Sequence, residues 1–258
     1  MVEIHPTAIV SKEAVLEEGV IIGPYCIING PVHIGTNTRL ISHVVMEGRV
    51  EIGSNCTIYP FTTIGLPPQD LKYKGEDTGV RIGNNNIIRE SITIHRGSVG
   101  GDGWTEIGDN NFLMAYVHIA HDCKIGSNII MANAATLAGH VKVYDYAVLG
   151  GLIAVHQFTR IGAYAMVGGF SGVGQDIPPY MMAAGARAEL HGLNTVGLKR
   201  HGFSDEAISE LKKAYKILFR EKLTLGDAIK KVLETLPYTD EIKTLIEFIK
   251  ENKRGICR

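Results

Sequence analysis

Hydrophobic positions in the first two thirds of the chain recur on a fixed step. Aliphatic-glycine pairs stand at Ile22-Gly23, Ile34-Gly35, Ile52-Gly53, Ile64-Gly65, Ile82-Gly83, Ile107-Gly108, Ile125-Gly126, Leu149-Gly150, Ile161-Gly162 and Val167-Gly168. The steps between them are 12, 18, 12, 18, 25, 18, 24, 12 and 6, so eight of nine are multiples of six. Several pairs run into a small polar turn, as in Gly35-Thr-Asn37, Gly53-Ser-Asn55, Gly83-Asn-Asn85, Gly108-Asp-Asn110 and Gly126-Ser-Asn128. Glycine and asparagine tolerate the backbone of a sharp corner. Three six-residue units, each with one inward aliphatic and one corner, wind into a single triangular coil. Successive coils then stack their strands in parallel roughly 4.8 Å apart, and ten coils make a prism on the order of 50 Å long. The pattern predicts a mainly β chain, a parallel β-helix over residues 1–189. Two loops leave it. The step of 25 spans Gly97-Ser-Val-Gly-Gly-Asp-Gly-Trp104, and Leu66-Pro-Pro-Gln-Asp-Leu-Lys-Tyr-Lys-Gly75 carries paired prolines that a central strand excludes. These loops, near 66–80 and 97–104, are expected places for binding residues.

The period stops near Gln175-Asp-Ile-Pro-Pro-Tyr180, and helical spacing takes over. Ser204-Asp-Glu is an N-cap with first-turn acids ahead of Ile208, Leu211, Tyr215 and Leu218. Thr224-Leu-Gly-Asp227 precedes Ile229, Val232 and Leu233, and Thr239-Asp-Glu precedes Ile242, Leu245, Ile246 and Ile249. Residues 190–258 are therefore expected to form a small C-terminal helical domain.

Thirty glycines, roughly 12% against a usual ~7%, fit a protein of many tight turns. Net charge is −1, but it is unevenly placed: residues 190–258 hold 14 Lys/Arg and 10 Asp/Glu, and residues 1–189 hold 12 and 17. A tail of +4 on a body of −5 suits either ordinary solvated helix faces or an acidic partner or anionic ligand. Cys26, Cys56, Cys123 and Cys257 form no C-x-x-C pair, no secretory signal opens the chain, and no apolar run reaches the ~20 residues of a membrane span. The expectation is a cytoplasmic protein with reduced thiols, with no membrane insertion and no nucleic-acid partner.

The period also serves as a ruler, because residues 18 apart stack. One coil above His121 lies Gly139, flanked by His140, and the next holds Gln157, flanked by His156. Below, the loop adds 25 − 18 = 7 positions, so His121 stands over the neighbourhood of His95, with His118 three positions away in sequence. A β-helix core needs no imidazoles, so five on one wall point to proton-transfer chemistry near neutral pH. Asp122 would orient His121 only if a corner turned the two side chains together, since strand neighbours face opposite ways. Gly139 is either another corner glycine or a backbone N–H available to an oxyanion.

The runs His118-Ile-Ala-His-Asp-Cys123, Ala135-Thr-Leu-Ala-Gly-His140, Val155-His-Gln-Phe158 and Gly168-Gly-x-Ser-Gly172 resemble the UDP-N-acetylglucosamine O-acyltransferase family of lipid A biosynthesis. Gln69-Asp-Leu-Lys72, Thr93-Ile-His-Arg-Gly97 and Gly197-Leu-Lys-Arg-x-Gly-Phe203 extend the resemblance over nearly the whole chain. The resemblance implies a left-handed coil, against the usual right-handed crossover. It implies a homotrimer with active sites between subunits. The reaction implied is transfer of an (R)-3-hydroxyacyl chain from acyl carrier protein to the 3-hydroxyl of UDP-N-acetylglucosamine, without metal or cofactor. His121 matches the general base, Asp122 its partner, and Gly139 the N–H donor to the thioester oxygen. Gln69, Asp70, Lys72, His95, His118, His140, His156 and Gln157 match the sugar and donor cleft, Gly169 the acyl groove, Asn194 the nucleotide side and Arg200 the donor side. Acyl carrier protein is acidic, which suits the basic tail. Val196, His201 and Arg187 depart from the family pattern.

Three rival readings share the coil. A zinc hydratase would need three converging imidazoles and an open fourth position. An N-acyltransferase acting on a 3-amino sugar would usually carry an extra N-terminal domain. A binding scaffold would have no use for the imidazole wall.

Overall fold

In the computed structural model, which describes residues 1–258, every coil lends one short strand to each of three sheets of 11, 9 and 8 strands. All pairings are parallel except one near the end. In the first sheet Ile22, Leu40, Ile58, Ile88, Leu113, Met131, Leu149 and Val167 stand directly above one another, all buried. Matching inward columns run from Ile28 to Val173 in the second sheet and from Ile34 to Ile161 in the third. Alternation places the neighbours of these residues outside, and each buried aliphatic stabilises the stack by roughly 1.5–3 kcal/mol. The coil is left-handed, as expected.

The corners explain the asparagines. Asn37, Asn55, Asn85, Asn110 and Asn128 share one edge of the prism with φ of +57° to +60°. Their amides form a partial ladder, with Asn85 Nδ2 donating to Asn110 Oδ1 at 3.1 Å. Farther up, the same left-handed position is taken by Tyr146, Tyr164 and Tyr180, whose rings stack beneath Phe203 of the tail.

Both loops leave from the corner between the second and third sheets. An unbroken coil would set Thr57 beneath Gly75 and Ile87 beneath Thr105. Instead Thr57 pairs with Ile87 and Ile87 with Phe112, so the first insertion is as long as two repeat units and the second exceeds one unit by a single position. Trp104 fixes the return of the second loop. Its ring lies against the guanidinium carbons of Arg81 at 3.6 Å and Arg49 at 4.6 Å.

Met181–Ala184 is the last parallel strand of the first sheet and pairs antiparallel with Glu189–Leu193, which closes the coil's open edge. Helices α1 (Thr195–Arg200), α2 (Asp205–Arg220), α3 (Leu225–Thr235) and α4 (Asp240–Lys250) follow, capped by Asn194, Ser204, Thr224 and Thr239. The buried stripes include Ile208, Leu211 and Leu218 and the four named residues of α4, whereas Leu233 is exposed because Ala228 and Val232 turn inward instead. The C-terminus returns to the coil: Asp176 N–H donates to Gly255 O and Cys257 N–H to Asp176 O, each at 2.9 Å. Arg160 binds Asp176 at 2.8 Å and the Phe248 carbonyl at 2.9 Å, riveting α4 to the third sheet. No helix is long and apolar enough to cross a membrane.

The corner geometry predicts that Asn128→Val, a β-branched residue at φ +60°, costs about 1–2 kcal/mol while Asn128→Gly is nearly neutral. Thermal unfolding of the two variants side by side checks this.

Candidate active site

His121 and Asp122 occupy the corner from which, one coil below, the second loop departs. Asp122 has φ +61°, and this left-handed turn brings two sequence neighbours to the same side, with His121 Nδ1 2.7 Å from Asp122 Oδ2. Asp122 is buried, 4% exposed. Ser98 donates its N–H to Oδ1 at 3.0 Å and its hydroxyl to Oδ2 at 2.7 Å, and Asp122 N–H donates to Thr105 Oγ1 at 2.9 Å. Burial pushes the Asp122 carboxyl up, but the donors on it, His121 and Ser98 foremost, outweigh burial and hold it below the usual range. An ionised carboxylate only accepts, so His121 carries its proton on Nδ1 and leaves the Nε2 lone pair free.

Gly139, one coil above, lies against that imidazole. A Cβ there would stand 2.6 Å from His121 Cε1 and 2.7 Å from Nε2, so the glycine is required by the ring rather than by backbone torsion. Its N–H donates to no group of the chain, while its carbonyl accepts from Phe158 N–H at 3.1 Å. Pro24, Pro60 and Pro179 fill the matching turn position at other corners, so the backbone ladder of the coil does not require this N–H, although side chains accept it at the asparagine corner, as Asp145 does from Ser127 N–H. Imidazole and free N–H donor therefore sit side by side.

The other histidines form an ordered cluster. His140 meets His121 edge-on at 5.3 Å between centroids, stacks on Phe158 at 4.5 Å, and brings Nε2 to 3.6 Å from Asp122 Oδ2. His95 and His118 make a second edge-on pair at 5.2 Å, with His118 Nδ1 2.7 Å from Thr93 Oγ1. Burial lowers His140, against the pull of Asp122, and lowers His118, with His121 adding to the effect. It drives His95, 6% exposed, down to about 4, with His118 and His121 adding to the shift. These three are neutral at neutral pH. His156 stands three coils above His95 in the column through Ala120 and Ala138, and its Nδ1 is 3.0 Å from Arg254 Nη2 of the C-terminal segment. Gln157, exposed beside it, brings its carbonyl to 3.2 Å from the same Nδ1.

Gln69, Asp70 and Lys72 lie on the first loop, where Asp70 Oδ1 accepts Lys72 N–H at 3.0 Å and the Asp70 charge acts on His140. One chain does not bring every expected residue together. Asn194 caps α1, with Oδ1 accepting from Gly197 N–H at 3.1 Å and Nδ2 donating to Tyr164 O at 3.0 Å. That capping task places Asn194, and with it Arg200 at the end of α1, at the tyrosine corner instead of the histidine corner. Gly169 lies at the corner between the first and second sheets, beside the exposed Phe170. Sequence reasoning named neither Ser98, Phe158 nor Arg254 as site residues. Phe158 was within reach of the ruler, 18 beyond His140; nothing in the sequence marks which loop residue meets Asp122.

Two clefts adjoin the cluster. One of about 760 Å³ runs between the third sheet and the end of α4, bordered by Asp122, His140, Phe158, Lys142 and Arg254. The other, about 550 Å³, lies on the second sheet's outer face between Ala154, His156, Gly172, Gly174, Ala186 and Arg187. The donor atoms of His121, Asp122 and His140 lie within 4.8 Å of one another. They offer two imidazoles instead of three, and the carboxylate is already engaged by Ser98, a poor match to a three-histidine zinc site.

The chain resembles known proteins over its full length. A family model for domain 2 of UDP-N-acetylglucosamine O-acyltransferase matches residues 176–257, and one for bacterial transferase hexapeptides (six repeats) matches residues 105–139. An acyl-(acyl-carrier-protein)-UDP-N-acetylglucosamine O-acyltransferase of Thermodesulfovibrio yellowstonii is 71% identical over 258 residues, covering 100% of both chains. Its namesake in Syntrophobacter fumaroxidans is 48% identical, covering 99% of this chain and 100% of its own. The solved UDP-N-acetylglucosamine acyltransferase of Bacteroides fragilis superposes with a TM-score of 0.97 at 39% identity, covering 99% of this chain and 100% of that one. That of Moraxella catarrhalis gives 0.95 at 44%, covering 99% of each.

Burial of neutral imidazoles has a pH signature. The unfolded chain binds a proton at His95 below its ordinary 6.5, and the folded chain does so only near 4. Stability is therefore full above pH ~6.5 and falls as pH drops toward ~4, by up to about 3 kcal/mol from this residue. Urea unfolding at several pH values will show that slope in the parent protein and a shallower one in His95→Gln.

Proposed function

We infer the chemistry of the site from one premise: the chain belongs to the UDP-N-acetylglucosamine O-acyltransferase family. It is an acyltransferase of lipid A biosynthesis that takes its acyl group from acyl carrier protein and gives it to UDP-N-acetylglucosamine. The observation that carries our mechanism is the juxtaposition of the His121–Asp122 pair with the free N–H of Gly139.

In this reading the 3-hydroxyl of the sugar approaches His121 Nε2 and loses its proton to it as the oxygen attacks the thioester carbon. The imidazolium formed is stabilised by the ionised Asp122 on Nδ1. Charge on the thioester oxygen is met by Gly139 N–H, a preorganised donor that needs no rearrangement. Collapse expels the carrier's thiolate, which takes the proton back from His121. The ester is complete and the enzyme returns to its starting state. Neutral His95, His118 and His140 serve as hydrogen-bonding groups for sugar and donor without adding positive charge beside the base. Gln69, Asp70 and Lys72 reach the sugar from the first loop. His156 and Gln157 flank the passage to the second-sheet groove. That groove, of about 550 Å³ and lined in large part by alanine and glycine, is where we place the (R)-3-hydroxyacyl chain, with Arg187 on its lining.

We also propose a homotrimer, with Asn194, Arg200 and Gly169 completing the cleft of a neighbouring copy. Two features support it. Tyr25, Phe61, Tyr116, Leu152 and Phe170 project from one edge of the prism, and Leu71 at the tip of the first loop is fully exposed. Four free, buried thiols support a cytoplasmic setting.

His121→Ala is expected to lower kcat by about 10²–10⁴ in transfer from hydroxyacyl carrier protein to UDP-N-acetylglucosamine. Gly139→Ala, which drives a methyl into the imidazole, should approach the same loss with folding intact. Full activity in His121→Ala would remove His121 from the mechanism, and full activity in Gly139→Ala would remove the need for glycine beside it. Faster transfer to the 3-amino analogue than to the 3-hydroxyl sugar would reassign the acceptor atom.

A further inference from the structure

The second loop folds a tight turn over Asp122, in which Gly101 N–H donates to Ser98 O at 3.2 Å and Gly100 N–H donates to Ser98 Oγ at 3.2 Å. Because Ser98 Oγ accepts from Gly100, its single proton is free for Asp122 Oδ2 at 2.7 Å, while Ser98 N–H holds Oδ1 at 3.0 Å. Gly101 packs so closely on the same carboxylate that any side chain there would collide with it. Ser98 is itself buried, 5% exposed, so these bonds face no competition from water.

We propose that Ser98 is a positioning residue of the acyl transfer, gripping both oxygens of Asp122 so that the carboxylate presents a fixed and partly neutralised acceptor to His121. This rests on the functional reading given above. Asp122 Oδ2 accepts from Ser98 Oγ and His121 Nδ1 at the same distance, 2.7 Å. Its charge is thus divided between a permanent donor and the base. Without the serine hydroxyl, Oδ2 would keep His121 as its one hydrogen-bond donor, over-stabilising the imidazolium, and Ser98 would hold the carboxylate through its N–H on Oδ1 alone.

Other charged or titratable groups facing the pair are His140, His118, His95, Asp70, Asp102 and Lys124. Ser98 makes no hydrogen bond to any of their side chains, so its replacement acts on the base through Asp122.

The test compares wild type, S98A, S98T and H121A in acyl transfer from hydroxyacyl carrier protein to UDP-N-acetylglucosamine between about pH 5 and pH 9. Losing a hydrogen bond to a charged group predicts an S98A kcat lower by about tenfold to a hundredfold. KM for both substrates should hold, and the acid limb of the rate profile should move to higher pH. S98T, which restores the hydroxyl, should recover both rate and profile. The proposal fails if S98A keeps its kcat within about twofold, or loses rate with an unmoved acid limb. Should S98A melt before assay, S98C keeps the packing with a weaker donor and carries the same two readouts. A wild type with no transfer at all would instead bring down the functional reading, whereas active wild type, inactive H121A and unaltered S98A would remove only Ser98.

Discussion

Backbone hydrogen bonding between successive coils is the constraint from which the rest of this structure follows. Successive strand residues bond alternately to the coil above and the coil below, as where Ile130 N–H meets Ala147 O above and Met131 O accepts Met114 N–H from below, so the polar backbone of a two-residue strand is satisfied only if the next coil arrives in register. That requirement makes residues 18 apart neighbours along the whole prism. It converts one corner into a vertical wall on which imidazoles far apart in sequence pack ring to ring. A loop may interrupt the coil only where it restores this register on return, and both insertions do so by leaving and re-entering at the same corner.

The concentration of chemistry at that corner has a physical basis. A left-handed residue brings consecutive side chains together, which lets His121 and Asp122 act as a pair. The turn position before it exposes an N–H that the coil does not need, which leaves Gly139 free to act as a donor. The second loop, thrown out at the same corner, then covers the carboxylate, so its charge is sustained by donors in place of water. Buried imidazoles nearby remain neutral and keep the electrostatic work with the one pair.

The upper end of the prism is finished by other means. The antiparallel Glu189–Leu193 strand blunts the last edge, and the chain's end is tied to Asp176 and Arg160, bringing Arg254 alongside His156. The switch from asparagine to stacked tyrosines at the third corner gives the helices an aromatic face to dock on, and Asn194 is consumed in capping the first of them. One copy of the chain thus carries two separately furnished edges, the histidine corner and the tyrosine corner.

The sequence by itself determined the coil, its corners and the stacked histidines, because a repeat of six with inward aliphatics leaves a single way to bury them. It also carried the cap signals of the helices and, through Gly139, the glycine beside His121. It concealed other features. The first insertion is a whole number of repeat units, so the period passed over it and only the paired prolines marked it. The spacing was silent on whether Asp122 would face His121, since that turns on one φ angle. Only the tertiary structure decided that Ser98 grips the carboxylate, that Asn194 sits at another edge from His121, and that Leu233 faces outward. Those outcomes depend on how irregular segments pack against the prism, and irregular segments carry no period from which a neighbour can be read.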